Sequence, residues 1–263
     1  MEDTNHRSTS RVLDILDLLA ENTAGMTLTE LSKAIDAPKS SLFPILHTMK
    51  NRNYLFFNVA TAKYFIGHQT HLVGGTYQNR SVVFEYIKRQ MDHIRDTCGE
   101  TCNLGILNHE QASYIAVSEP ESENCQCLTH TAGMQFPAYC SGIGKALLLD
   151  YSIEELRALY PDPLVQYTPN TVTSVEILYA QLLMYQKEGF TYETSEARDN
   201  IFCIAIPLCN ESKIIAALSV SIPLDRMTES KVSMIKRAFL ETKPLIDSYL
   251  HLFHLEDGHD LLS

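Results

Sequence analysis

The sequence predicts an α+β fold in two parts: a winged helix-turn-helix head, a connecting helix, and a larger domain built around a sheet. Three observations lead there. Thr27 to Gly67 reads as two short helices followed by a two-stranded ribbon. From Glu100 the hydrophobic period changes, and strand-like runs alternate with capped helices to the end of the chain. The charge is also unevenly divided. Residues 1–77 carry seven Lys/Arg and seven Asp/Glu, whereas the remainder carries fourteen against twenty-five, so the net charge of −11 lies wholly outside the head. The expected boundaries are 1–77 for the head, 78–98 for the connecting helix and 99–263 for the second domain.

Composition narrows the class. With 45% hydrophobic residues over 263 positions, the chain can bury a substantial core, which excludes a mainly disordered protein. It has no basic, apolar N-terminal segment and no apolar run of membrane-spanning length, so a soluble, cytoplasmic chain with no membrane partner is expected. The seven cysteines (98, 102, 125, 127, 140, 203 and 209) are odd in number and scattered, as reduced thiols in a cytosolic chain are. Global acidity opposes nucleic-acid binding, but phosphate attraction acts over a Debye length of about 8 Å. A charge-neutral head therefore keeps that function open.

In chain order, Arg11 to Glu21 is an amphipathic helix with Val12, Ile15, Leu16 and Leu19 on one face. Thr27-Leu-Thr-Glu30 is a capping box that opens a second helix, with Leu28, Leu31 and Ile35 inward. Asp36-Ala37-Pro38 is the turn, with Pro38 expected at the first position of the third helix. That helix turns Leu42, Ile45, Leu46 and Met49 inward and leaves Lys39, Ser40, Phe43, Pro44, His47 and Lys50 outward. Tyr54–Asn58 and Lys63–Ile66 are the strands of the ribbon, around the tip Val59-Ala-Thr-Ala62.

In such a scaffold the third helix enters the major groove and the ribbon lies near the backbone. Short polar side chains reach base edges or phosphates, and lysines neutralise phosphate. The candidate DNA contacts are Thr27, Lys39, Ser40, Ser41, Phe43, Pro44, His47, Lys50 and Lys63. Winged helices also serve as protein-docking modules, and the pattern alone leaves that alternative standing. Pro44 is the anomaly. Inside a helix it loses the bond to the Ser40 carbonyl and clashes with it, at a cost of about 3 kcal/mol. A kinked third helix is expected, or one that starts late enough to put Pro44 in its first turn.

After a hinge region following Gly67, Ser81 to Cys98 reads as the connecting helix. Thr101–Leu107, Ala112–Ser118, Phe190–Thr194, Ile201–Leu208 and Lys213–Ser221 read as strands. Ser141-Gly-Ile-Gly-Lys-Ala feeds a helix to Asp150. Ser152–Glu155 and Thr173–Glu176 are further capping boxes, Gly189 ends a helix, and Ser230–Phe253 is a last helix bent at Pro244.

These residues resemble the IclR family of bacterial transcriptional regulators. In the head the likeness lies in Arg11-Val-Leu-Asp-Ile-Leu, Leu31-Ser-Lys-Ala-Ile, Ala37-Pro-Lys-Ser-Ser-Leu and Lys63-Tyr-Phe-Ile-Gly. In the second domain it lies in Ser141-Gly-Ile-Gly-Lys-Ala, Gly189-Phe-Thr-Tyr-Glu, Cys203-Ile-Ala-Ile-Pro-Leu and Ala217-Leu-Ser-Val-Ser-Ile-Pro. The resemblance implies a GAF/PAS-like α/β effector-binding domain behind the winged-helix head. It also implies a homodimer or homotetramer on palindromic double-stranded DNA, and a small-molecule effector, an organic acid or a derivative. Carried over residue by residue, the effector site comprises the backbone N–H groups of Gly142 and Ile143 together with Glu193, Cys203, Ser219 and Ser221. Two departures stand out. Glu193 replaces the usual Asp and is followed by a charged Arg198-Asp-Asn run, and Pro44 stands where many members carry Arg.

Two other readings of the cysteines compete. Cys125-Gln-Cys127-Leu-Thr-His130 offers three soft or imidazole donors, with Cys140 or His109 as a fourth, and suggests a metal-dependent sensor. Cys203 with His130 or Glu193 suggests a small cysteine-dependent enzyme. The chain carries no nucleophile elbow, P-loop or dinucleotide fingerprint. The sequence is therefore read as that of a regulator rather than an enzyme, with no cofactor and no resident metal.

Overall fold

A computed structural model describes residues 6–75, 82–121 and 131–262. The chain forms two compact units, residues 1–78 and 79–263. Among the described residues no helix is long and apolar enough to cross a membrane.

The first unit opens with helix α1 (Arg7–Glu21), four residues longer at its start than the apolar stripe alone suggests. Strand β1 (Met26–Thr27) follows, then helices α2 (Leu28–Ala34) and α3 (Lys39–Asn51), and the ribbon strands β2 (Leu55–Asn58) and β3 (Lys63–Ile66). The short β1, too brief to leave a pattern in the sequence, pairs with β3 and makes the wing a three-stranded sheet. Ile15, Leu19, Leu31, Leu42, Leu46, Met49, Leu55 and Tyr64 form the core. Val12, Leu16, Leu28, Ile35 and Ile45 pack partly buried around them.

Two expectations about α3 need correction. Pro38 is its N-cap, with extended ψ of 139°, rather than its first helical residue. The helix then runs unbroken to Asn51, so Pro44 lies in the second turn and not the first. Four apolar side chains on the inner face hold the segment helical despite the missing N–H.

Helix α4 (His68–Gly75) occupies the stretch expected as a hinge, and helix α5 (Val82–Cys98) follows in the second unit. Val83, Phe84, Ile87, Met91 and Ile94 of α5 are buried, so the expected connector is a core element. The sheet is antiparallel throughout, in the order β6-β5-β4-β9-β8-β7. Its strands are β4 (Thr101–Asn108), β5 (Gln111–Ser118), β6 (Gln135–Pro137), β7 (Thr191–Thr194), β8 (Ile201–Asn210) and β9 (Lys213–Pro223).

Pleating sorts the strand residues onto two faces. Leu104, Ile106, Ile204, Ile206, Leu218, Val220 and Ile222 pack with α5 and with helix α9 (Glu229–Leu252), which passes through Pro244 without interruption. The opposite face is covered in part by helices α6 (Gly142–Leu147), α7 (Ile153–Leu159) and α8 (Val175–Glu188). Helix α6 stops three residues short of the expected Asp150. Ser174, not Thr173, caps α8, accepting from the N–H groups of Glu176 and Ile177. Gly189 closes α8 at φ 78°, a left-handed conformation that glycine adopts without a Cβ penalty.

Candidate functional site

On the first unit, the side chains of Lys39, Ser40, Phe43, Pro44, His47 and Lys50 all lie exposed along α3. The inward stripe of Leu42, Leu46 and Met49 forces this outward set by helical geometry. Several polar groups in the region are already engaged. Ser41 Oγ donates to the Pro38 carbonyl at 2.7 Å, and His47 shares a 3.0 Å hydrogen bond with Asn51. Lys50 Nζ lies 5.9 Å from the Phe57 ring centre. Thr27 completes the capping box of α2: its oxygen accepts from the Glu30 N–H, and its own N–H and hydroxyl donate to the Glu30 carboxylate. Lys63 reaches back to the Ala24 carbonyl at 3.2 Å. Lys39 and Ser40 remain as the polar groups at the helix start.

In the second unit, pairing across β7, β8, β9 and β4 lines up polar residues on the helix-covered face. Glu193 pairs with Cys203, Cys203 with Ser221, Ser221 with Thr101, and Ser219 with Asn103. Asn103 Nδ2 lies 3.2 Å from Ser221 Oγ and 3.4 Å from Ser219 Oγ, while Cys203 Sγ lies 3.3 Å from Ser221 Oγ. Helix α6 presses on this face with its glycine. A Cβ on Gly142 would stand 2.9 Å from that of Cys203, and Thr191 Oγ1 donates to the Gly142 carbonyl at 2.7 Å. Ser141 caps α6, leaving the Gly142 and Ile143 N–H groups in the first turn, where a helix offers them no acceptor of its own.

Beside this strip lies a small cavity, partly open to solvent, lined by Tyr114, Phe136, Ser141, Glu193, Ala197, Arg198, Ile201 and Cys203. Of the six candidate effector residues, Glu193 and Cys203 line it. Gly142 and Ser221 touch Cys203 from behind, Ser219 lies one pleat further along β9, and Ile143 is buried in α6. Sequence reasoning did not single out Tyr114, Phe136 or Arg198 as lining residues. The charged run at Arg198 was the available signal.

The electrostatics separate four groups. Glu193 Oε1 accepts from the N–H groups of Glu196 (2.5 Å) and Ala197 (3.2 Å), which folds the turn after β7 around the carboxyl. Burial nevertheless outweighs these bonds and pushes Glu193 up to about 6. Desolvation, with the Glu193 charge beside it, raises the Cys203 thiol well above its ordinary range. It stays protonated and is a poor nucleophile. Arg198 lies with its guanidinium carbon 4.9 Å from the Phe136 ring centre, and among the described residues it has no ion pair. Lys145 is not a lining residue: its Nζ pairs with Glu196, 2.5 Å distant.

The metal candidates Cys125, Cys127 and His130 lie outside the described residues. Among the described residues no group of three or more His, Cys, Asp or Glu side chains is arranged to hold a metal ion.

Comparison with known proteins gives this arrangement a setting. The family model described as bacterial transcriptional regulator IclR C-terminal matches residues 75–247, and the IclR helix-turn-helix domain matches residues 8–56. The chain is similar to the transcriptional regulator BhcR of Paracoccus denitrificans, with 29% identity covering 89% of this chain and 84% of that one. It is also similar to the transcriptional repressor IclR of Escherichia coli, at 25% identity over 86% of this chain and 84% of the repressor. In fold it matches an IclR transcriptional regulator from Alicyclobacillus acidocaldarius with a TM-score of 0.80 at 20% identity, covering 93% of this chain and 99% of that one. It also matches an IclR homologue from Microbacterium hydrocarbonoxydans solved with 4-hydroxybenzoate, at a TM-score of 0.71 and 19% identity over 92% and 99% of the two chains.

Proposed function

Because the chain belongs to the IclR family of bacterial transcriptional regulators, a family of regulators rather than enzymes, we propose that it reads an operator through α3 and its wing. A small carboxylate held in the second unit controls that reading. The observation that carries the effector class is Arg198. A guanidinium over an aromatic ring at a partly enclosed cavity, with no ion pair among the described residues, is a ready partner for an anionic group. Tyr114 and Phe136 supply apolar walls for the rest of the ligand, and Glu193 and Cys203 supply polar contacts at the other side.

The DNA side of the reading uses Lys39, Ser40, His47 and Lys50 on α3, with Lys63 near the wing. The protein acts in the cytoplasm as a homodimer or homotetramer, whose two-fold symmetry calls for a palindromic operator. The effector changes operator affinity only by as much as its own affinity differs between the two arrangements of the oligomer.

The test is titration calorimetry with a panel of small acids that includes 4-hydroxybenzoate, followed by gel-shift titration on DNA upstream of the protein's own gene. An acid that binds wild type and shifts the DNA curve should bind Arg198→Ala at least ten-fold more weakly. Full binding by that variant would move the site elsewhere, and an oligomer that is folded yet shows no saturable DNA binding would sink the regulator reading.

A further inference from the structure

The exposed face of α3 has its charge at the ends and an apolar pair in the middle. Lys39 stands in the first turn and Lys50 in the last, eleven residues apart along the helix. At 1.5 Å per residue their Cα atoms are about 16 Å apart, somewhat more than the roughly 12 Å width of the major groove. Between them stand Phe43, 55% exposed and stacked on His47 at 6.2 Å, and the exposed ring of Pro44.

Apart from Ser40, which stays exposed and open, the polar groups around this pair are turned back on the helix. Ser41 donates to the Pro38 carbonyl, Thr48 donates to the Pro44 carbonyl at 2.9 Å, and His47 is joined to Asn51. No arginine lies within α3. Arg52, at its C-cap, stands 6.0 Å from the Tyr54 ring centre.

The chemistry of the groove decides what such a face can read. Guanine presents O6 and N7, two acceptors that call for the donors of Arg or Lys. Thymine presents its C5 methyl group, the apolar feature of the major-groove edge. A phenyl ring and a pyrrolidine ring offer no donor but can cover a methyl group. Lys39 and Lys50 at either end are available to phosphates, and Phe43 and Pro44 are the apolar groups on the face between them, beside Ser40 and His47.

We infer that Phe43 and Pro44 read thymine methyl groups, so that each operator half-site is specified at its centre by T·A pairs rather than by guanine. This rests on the proposal that α3 binds DNA. It also gives a physical meaning to the departure at position 44, where an arginine would favour guanine.

The experiment uses the full-length protein and selection from a random double-stranded pool at moderate salt. The expected half-site has T·A pairs at fixed central positions. Replacing those thymines with deoxyuridine removes only the methyl group, and should weaken wild-type binding by about four-fold per contacted methyl, the factor for burying one such group. Phe43→Ala changes an exposed side chain, so it should fold with wild-type thermal stability and show a smaller preference for thymine over deoxyuridine than wild type, with Pro44 keeping the remainder. Pro44→Arg should move the selected base toward guanine. Equal wild-type affinity for the two duplexes, or a selected centre of G·C pairs, overturns the inference while leaving DNA binding intact. An apolar pair that serves a protein partner instead gives a selected sequence with no dependence on thymine methyl groups, which overturns the inference, and a folded oligomer without DNA binding removes both the inference and the reading beneath it.

Discussion

Lys145 and Glu196 form an ion pair shut away from water: Lys145 Nζ lies 2.5 Å from Glu196 Oε1, with the lysine side chain fully buried. The pair ties α6 to the turn that carries Arg198, so one side of the cavity is anchored to the other. A buried pair is strongly destabilising to break from one side only, because the remaining charge is left uncompensated. Lys145→Met should cost about 3–5 kcal/mol in urea unfolding of the second unit. The double change Lys145→Met with Glu196→Leu should recover much of that loss. A single change that costs less than the double one contradicts a structural role for the pair.

Gly142 and Gly144 are the residues that let α6 approach its surroundings. A methyl group at Gly142 meets the Cys203 side chain at 2.9 Å, while one at Gly144 runs into the Ala138 backbone, which cannot swing aside. Overpacking of this kind costs about 1–3 kcal/mol where a side chain can yield, and more where it cannot. Gly142→Ala should therefore fold but melt lower and lose its response to the effector. Gly144→Ala should be the more severe of the two by thermal denaturation. Equal stability for both variants would mean that α6 is free to lift from β8.

Much of this was legible in the sequence where local chemistry alone decides. The Thr27–Glu30 and Ser152–Glu155 capping boxes, the left-handed Gly189 and the ribbon strands follow from residue type and spacing, and each forms where those signals put it. Cys203, Ser219 and Ser221 were singled out by the family resemblance, and strand alternation adds only that Ser219 and Ser221 share a face. Their joining to Asn103 and Thr101 depends on which strand lies beside β9, and that is a tertiary fact. Tyr114, Phe136 and Arg198 meet at one cavity from three separate segments, and no spacing along the chain encodes that meeting. At α3 the local signal lost to packing: Pro44 opposes the helix, yet Leu42, Ile45, Leu46 and Met49 bind it to the core from both sides of the proline.

The buried carboxyl of Glu193 makes a pH-dependent contribution to stability. Its value rises from the ordinary 4.5 to about 6 in the fold, chiefly through desolvation, with Glu196 adding repulsion against the N–H bonds of Glu196 and Ala197. Between those two values the folded state holds more protons than the unfolded chain, so stability falls as pH rises. The contribution is fully present below pH 4.5 and is lost as pH passes through about 6, a difference of about 2 kcal/mol. Glu196 is raised in the same direction by burial, so the comparison must be with Glu193→Gln. That variant keeps an oxygen for both N–H groups. It should show a smaller loss in melting temperature between pH 4.5 and 6.5 and be the more stable protein at pH 7. Parallel pH profiles for the two proteins would show that water or a counter-charge reaches Glu193.

Pro44 gives the last test, because its cost to α3 and its use there oppose each other. It lies in the second turn, where it has no N–H for the Ser40 carbonyl, and its ring crowds that carbonyl. Alanine restores the hydrogen bond and has the highest helix propensity, while giving up the smaller advantage that proline confers by restricting the unfolded chain. Pro44→Ala should thus stabilise the first unit, by about 1–3 kcal/mol, and raise its unfolding midpoint in denaturant. The ring also lines a groove with Val12, Ile45 and Met49, so part of the gain is offset by lost contact there. If the variant is less stable than wild type, packing in that groove outweighs the backbone bond, and Pro44 is held in the helix by α1. If it is more stable but discriminates less between thymine and deoxyuridine duplexes, the proline is kept at the expense of stability for what it reads on DNA.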